Sequence, residues 1–453
     1  MSLRIGEGVS AAFQTSTLQV WEKPVAPGLT YREEVDLDAP RMIHILRFNP
    51  GAATTVAAEL AGGTIYGADA NKGRATVSDL VKRKSAIAAI NGDYFPFTGD
   101  PLGLMIHEGK LFSLPYQVHS NPLVTRPAFF WKGSQTGFAG KFTFSGTASI
   151  GEGAPIQIDG FNQECGANQI ALETPVAALA QAKAPNLHVV VKLTRFTGGP
   201  NGEGEGEVRG MFSDQTNVPV PEGNIVLVAN GNRVAALATA RPGSHVRFRW
   251  SVGNFPFTPD EAIGGGPFLV REGKVAVDAK EEGFDQTFTE KHHPRTAIGR
   301  RANGELWFVV VDGRQKMSDG MSLPQLGQWF LDHGCTDAMN LDGGGSSAIN
   351  IFGQLVNRPS DAAERPVANA VVFYGPTAAP VQDLKIVNPD PNVLRITTAA
   401  GELIPNVEVI WGCQGAAWID QGGNLHPVAT GDAKITAWCR GTLLQRSLPM
   451  KGA

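Results

Sequence analysis

Asn340-Leu341-Asp342-Gly343-Gly344-Gly345-Ser346-Ser347 sets an amide and a carboxylate two residues apart, then three glycines and two hydroxyls. The run suits an anion, because glycines reach positive φ and let backbone N–H groups converge, while Ser346 and Ser347 add donors. No lysine follows the glycines, so it is not a nucleotide P-loop. Glycine composition alone would read as a turn, and the preceding Asn-x-Asp argues against that. His293-Pro294-Arg295-Thr296 places a guanidinium and a hydroxyl beside a rigid proline, and Asp312-Gly313-Arg314 offers a second guanidinium; arginine forks suit bidentate phosphate contact. For any single arginine, a structural ion pair is the commoner outcome. Asn91-Gly92-Asp93 repeats the amide and carboxylate spacing. Asp93, Asp312 and Asp342 are the candidate nucleophile or base, and spacing does not allocate the roles. His292 and His293 lack a Cys or His partner at zinc-like spacing, so neither a catalytic zinc nor another cofactor is expected.

The elements carrying these residues read as α+β, with many strand-like runs and few helical windows. Residues 322–333 form the best-marked helix: Ser322 and Gln325 have capping-box spacing, Leu323, Leu326, Phe330 and Leu331 share a face, and Gly334 stops it. A second helix is expected over 76–84 and a third over the alanine-rich 175–184. The order helix, strand, hairpin occurs twice, once around Ala89-Ile90-Asn91-Gly92-Asp93 and once around Ala338-Met339-Asn340-Leu341-Asp342. In a strand, residues two apart share a face, which pairs Asn91 with Asp93 and Asn340 with Asp342 at corresponding strand ends. Leu306 to Val311 is a continuous apolar run, expected to be buried on both faces and to end at Asp312 and Arg314. Gly264-Gly265-Gly266-Pro267 suits a tight bend or a site wall, and Tyr94 with Phe95 suits either core packing or a sugar ring. Between the copies, residues 115–262 read as β-rich, with an Asn230-Gly231 hairpin turn and a mobile acidic loop over 198–206.

At 453 residues the chain has room for two or three folded units. With 39 Lys and Arg against 43 Asp and Glu and no long basic block, nucleic acid is a poor partner. No run approaches the roughly 18 apolar residues that a spanning helix needs. Residues 376–380 read as a linker between a catalytic unit, 1–375, and a small all-β unit, 381–453. Of four cysteines, Cys413 and Cys439 flank strand-like runs in that small unit and are expected to form a disulfide, which would suit an exported protein; Cys165 and Cys335 are expected to stay free.

Taken together, Asn91-Gly92-Asp93-Tyr94-Phe95, Gly264 to Pro267, His293 to Gly299, Asp312-Gly313-Arg314 and Asn340 to Ser347 resemble the phosphodiester glycosidase family, in that family's order over roughly residues 40–374. The resemblance implies hydrolysis of a glycosidic bond whose leaving group is a phosphate monoester, on a phosphate-linked glycan. It implies phosphate and substrate contacts from Arg295, Arg314, Thr296, His293, Asn91, Asn340, Gly343, Gly344, Gly345, Ser346 and Ser347. Residues 381–453 resemble a bacterial immunoglobulin-like domain through Trp411, Asp420-Gln421-Gly422-Gly423 and the run Gly431 to Ala437. A bacterial enzyme of the periplasm, envelope or secreted fraction is the expectation. Two other readings stay open: a phosphodiesterase in which the same aspartates hold a divalent cation and attack falls on phosphorus, and a glycan-binding protein without turnover.

Overall fold

Strand Leu306–Val311 is buried at every residue and lies inside an eight-stranded antiparallel sheet, between Arg41–Phe48 and Arg295–Arg301. The computed structural model describes residues 18–116 and 126–451. On one side the sheet continues through Leu29–Asp36 to Gln19–Ala26, and on the other through Cys335–Asn340 to the hairpin Phe268–Arg271 and Lys274–Val275. Two five-stranded sheets pack against it. One is centred on Ala88–Asn91, between Ile349–Ile351 and Asn369–Tyr374, and the other on Glu261–Gly264, between Met105–His107 and Ala128–Lys132. Tyr31, Phe308, Ile90, Phe373, Phe129 and Ile263 from the three sheets share one buried cluster.

Helix Leu323–Asp332 begins with the expected capping box: the Ser322 hydroxyl accepts from the Gln325 amide at 3.3 Å, and Gln325 Oε1 accepts from the Ser322 amide at 3.0 Å. Helix Val77–Lys84 is capped by Thr76, with Lys82, Arg83 and Lys84 in its last turn, where cations suit the helix dipole. Each helix precedes one site strand, Ala88–Asn91 or Cys335–Asn340, and each strand is followed by a hairpin. The two strands nevertheless lie in different sheets. The molecule is strand-rich, and its helices are few and short.

Three local expectations are corrected. Residues 198–206 are not a mobile loop: strand Asn186–Thr197 turns into Asn201–Ser213, and the alternating glycines lie beneath large side chains. A Cβ at Gly202 would overlap the Trp250 ring and one at Gly204 the Phe248 ring, so glycine is the residue that fits and the alternating glutamates face outward. Residues 175–184 form no helix; Leu179–Gln181 is a short strand paired with Asn217–Pro219, and Ala177, Ala180 and Ala182 are buried. Tertiary packing overrides alanine's helix preference here. At Asn230-Gly231 the chain enters a 3₁₀ turn and helix Val234–Leu237 rather than a hairpin.

Beyond residues 376–380, which have no regular structure, strands Val409–Gly415, Gly431–Cys439 and Thr442–Met450 form a sheet whose core is built around buried Trp411. This unit packs on the rest of the chain. Phe352 stacks on Trp438 at 4.3 Å, Gln354 Nε2 donates to the Ile410 carbonyl at 2.8 Å, and Arg358 donates to the Ala417 and Gly415 carbonyls at 2.9 and 2.8 Å. The expected Cys413–Cys439 disulfide is absent and all four cysteines are free. The register explains this: Val409 faces Cys439 while Cys413 faces Ile435. Four residues of offset put the two cysteines roughly 13 Å apart along the sheet, beyond the roughly 7 Å that a disulfide can span between Cα atoms.

Candidate active site

The ends of the two site strands meet. Asn91 Nδ2 donates to the Asp342 carbonyl at 2.7 Å, and the Asp342 amide donates to the Gly92 carbonyl at 3.0 Å. Asn91 Oδ1 accepts from Thr296 Oγ1 at 2.7 Å and from the Ala348 amide at 3.1 Å. Both polar atoms of the Asn91 side chain are therefore engaged in tying the strand ends together. Thr296 also reaches Ser347 Oγ at 3.3 Å.

Asp93 is 2% exposed. Its oxygens accept from the Tyr94 amide at 2.7 Å and the Gly103 amide at 2.6 Å, and its own amide donates to Asn369 Oδ1 at 2.8 Å. A Cβ at Gly103 or Gly264 would crowd the carboxylate, so the glycine run before Pro267 does form a site wall. Burial raises the Asp93 pKa to about 7, against the two N–H bonds, and the Asp342 charge adds to the rise. Asp342 keeps partial contact with solvent. Its Oδ1 accepts from the Gly343 amide at 2.9 Å. Enclosure still lifts its pKa to about 6, against bonds from the Ser346 hydroxyl and the Gly343 amide.

Asn340 spends its amide inward: Nδ2 lies 2.6 Å from Tyr94 Oη, 3.1 Å from the Gly266 carbonyl and 2.6 Å from the Leu341 carbonyl. Tyr94 Oη donates to the Gly266 carbonyl at 2.7 Å. Burial, then the charge of Asp342, holds the Tyr94 phenol well above its ordinary pKa.

Around these carboxylates lie cations without acids. Among the described residues Arg295, 1% exposed, has no carboxylate partner: Nε donates to the Met321 carbonyl at 2.9 Å, Nη2 to the Phe288 and Lys291 carbonyls at 2.7 and 3.0 Å, and Nη1 has no hydrogen-bond partner there. Burial, and then the charge of Arg314, lowers its pKa to about 10. Arg314 is exposed, has positive φ (59°), and holds its guanidinium over Gly344. Its Nη2 lies 3.2 Å from His293 Nδ1. Burial and the neighbouring arginines depress the His293 pKa.

The glycine loop differs from expectation. Gly344–Ser346 is a 3₁₀ turn whose N–H groups are mostly spent locally: Gly343 on Asp342 Oδ1, Gly344 on the Pro294 carbonyl, Ser346 on that of Gly343 and Ser347 on that of Gly344. Among these, the Gly345 amide is the one left for an anion. A Cβ at Gly345 would displace the paired Asp361 and Arg365 side chains from their present positions. Arg365 also reaches Ser346 Oγ at 3.3 Å.

Asp312 is 1% exposed and faces inward. It accepts from Asn357 Nδ2 at 3.0 Å and from the Arg358 amide at 2.9 Å, and lies 3.6 Å from His44 Nε2. Burial opposes a charged His44, but the bond and charge of Asp312 outweigh it and raise the His44 pKa. Asn357 in turn donates to the Ser347 carbonyl at 3.1 Å, so Asp312 holds the glycine loop from behind. Sequence reasoning missed Asn369, Asn357, Arg365 and Arg126, whose guanidinium lies 5.2 Å from the Tyr94 ring centroid. None belongs to a motif, and Asn369, Asn357 and Arg126 are recognised through partners outside their own segments.

A half-open carboxylate beside two arginines that lack acid partners is the equipment of a protein acting on an anionic ester. Over residues 200–374 the chain matches the family model described as phosphodiester glycosidase. The chain is 42% identical over 84 residues to the SPbeta prophage-derived uncharacterized protein YomE of Bacillus subtilis (strain 168), covering 18% of this chain and 13% of that protein. It is 27% identical over 136 residues to the N-acetylglucosamine-1-phosphodiester alpha-N-acetylglucosaminidase of Bos taurus, covering 26% of each. The matched part is thus about a quarter of that relative's length or less. A hypothetical protein from Synechocystis has the same fold in its crystal structure, with a TM-score of 0.63 at 22% identity over 79% of this chain and 68% of that one.

Proposed function

We propose that the chain hydrolyses a sugar-1-phosphodiester by cleaving between the anomeric carbon and its oxygen. The observation that carries this reading is the charge arrangement: among the described residues Arg295 and Arg314 have no carboxylate partner, and both lie by the loop that follows Asp342. A phosphate monoester has a second pKa near about 6, so it leaves with little proton donation and needs charge stabilisation instead. Arg314 and the Gly345 amide are the direct contacts, with Arg295 supplying unneutralised charge from behind them.

Asp342 is the reacting carboxylate, since it alone of the three aspartates keeps contact with solvent. As the bond from carbon to oxygen breaks, its electron pair leaves on the phosphate; water supplies the new oxygen on carbon, and its proton passes to Asp342. Asp93 and Asp312 are positioning residues, one fixing the loop that starts at Tyr94 and the other the loop that ends at Ser347. The bovine relative's name specifies N-acetylglucosamine, and a sugar of that type on an envelope or secreted glycan is the substrate class we favour.

The test is a panel of sugar-1-phosphodiesters offered to the full chain and to Asp342→Asn, with and without exhaustive chelation. Sugar release that survives chelation and falls at least about a hundredfold in the variant supports the reading, on the usual scale for losing a catalytic group. Glycan binding without turnover in either protein would replace it with the binding reading, and activity abolished by chelation would favour the metal phosphodiesterase.

A further inference from the structure

Away from Asp342 and the arginines, the described residues line a partly open cavity of about 470 Å³ between the loop that runs from Tyr94 to Gly103 and a second eight-stranded sheet, which includes Thr143–Ile150, Gly160–Phe161, Asn186–Thr197 and Asn201–Ser213. Its volume falls within the range of small-molecule sites. The loop supplies one wall through Thr98, Asp100 and Leu102, and it is pinned to Asp93 by the Gly103 amide. The lining also includes the rings of half-buried Phe144, of Phe142 and Phe161, which also pack on Phe255 and Trp250, and of Tyr66 and Tyr116. Asp100, Gln163, Glu164 and Gln169 line the same cavity.

No lysine, arginine or histidine is among the described residues that line this cavity, whereas three carboxylates, those of Asp100, Asp159 and Glu164, are. A phosphate would be repelled here, so the cavity is not an extension of the cation-rich cleft. Two of the three acids, Asp100 and Asp159, are already engaged within the protein. Asp100 accepts from Thr98 Oγ1 at 2.6 Å, and Asp159 accepts from the Ile170 amide at 2.9 Å and lies 3.5 Å from Arg233. What remains is a set of hydrogen-bond acceptors and side-chain amides in a cavity also lined by apolar rings. That combination matches a pyranose, which presents C–H faces to rings and hydroxyls to carboxylates and amides.

We propose that this cavity is a second carbohydrate site, taking an uncharged sugar ring other than the one whose bond is cut. The ring is either a further residue of the same glycan or a separate sugar, and both present the same chemistry to these walls.

Saturation-transfer NMR on the full chain, with glucose and N-acetylglucosamine as probes, tests this without reference to turnover. Saturable binding is expected below about 50 mM, a weak affinity normal for a single ring. Phe144→Ala should weaken it about fivefold or more, the scale of one lost aromatic contact. Gln169→Ala, a milder change, should weaken it as well, whereas Asp342→Asn and an excess of inorganic phosphate should leave it unchanged. Binding lost to Asp342→Asn or phosphate but indifferent to Phe144→Ala and Gln169→Ala would put the sugar in the catalytic cleft and overturn the proposal. So would the absence of saturable binding by either probe. A chain inactive on every phosphodiester can still pass, so this failure is distinct from failure of the proposed reaction.

Discussion

Asn91 Nδ2 donates to the main-chain carbonyl of Asp342 at 2.7 Å, joining two strand ends 251 residues apart in sequence. Asn91 is fully buried and its Oδ1 takes two further bonds, so Asn91→Ala leaves Thr296 Oγ1 and the Ala348 amide without their acceptor. The expected cost is about 2–4 kcal/mol in urea unfolding, from several buried groups left unsatisfied. Turnover should fall more than substrate affinity, because the bond fixes the backbone of the reacting residue. An unchanged urea midpoint would contradict the reading of Asn91 as a tie between strands.

Arg314 and Arg295 should separate in mutagenesis. Arg314 is exposed and holds no buried partner, so Arg314→Ala should cost about a hundredfold in kcat/KM with little change in Tm. Arg295→Ala removes donors from the Met321, Phe288 and Lys291 carbonyls, so it should lower both activity and Tm. Equal effects of the two on stability would count against the exposed clamp.

The raised carboxyl pKa values give two opposite pH signatures. Asp342 reacts as the carboxylate, so kcat/KM should rise with pH and level off above about 6. Stability goes the other way for Asp93. Its folded pKa, about 7, lies above its unfolded value, so its contribution is complete below the unfolded pKa and is lost as pH rises through about 7. Asp93→Asn should therefore lose less stability than the parent protein between about pH 5 and pH 8, read from urea midpoints at each pH. Parallel losses in both proteins would assign the pH dependence to other groups.

The small C-terminal unit should matter to the site. The Arg358 amide binds Asp312, while its guanidinium binds the Ala417 and Gly415 carbonyls across the interface, and Gln414 Nε2 donates to the Asn357 carbonyl at 2.9 Å. Arg358→Ala keeps the amide bond but removes the interface donors. It should destabilise the protein by about 1–3 kcal/mol and reduce kcat with little change in KM. Unchanged stability and rate would make the packing of this unit irrelevant to the site.

The parts of the site legible in the sequence were those governed by short periods. Two-residue spacing put Asn91 with Asp93 and Asn340 with Asp342, and both pairs fall at strand ends that meet. The capping box at Ser322 depends only on residues three apart, and it formed as expected. Features set by distant partners were not legible. Whether Asp312 faces a substrate or His44 depends on residues 268 positions away, and its inward direction follows from Asn357 and Arg358. The glycines at 202 and 204 read as a loop because the rings that require them, on Trp250 and Phe248, belong to a strand more than forty residues on. Cys413 and Cys439 lie on neighbouring strands, but register, which sequence does not reveal, keeps them apart.

Hydrolysis in heavy-oxygen water tests the proposed reaction most directly. Attack at the anomeric carbon puts the label on the released sugar and leaves the phosphate monoester unlabelled, and that is the result predicted for a cleft in which Asp342 serves carbon while Arg314 and Arg295 stabilise the departing phosphate. Label on the phosphate would mean attack at phosphorus and would contradict the account.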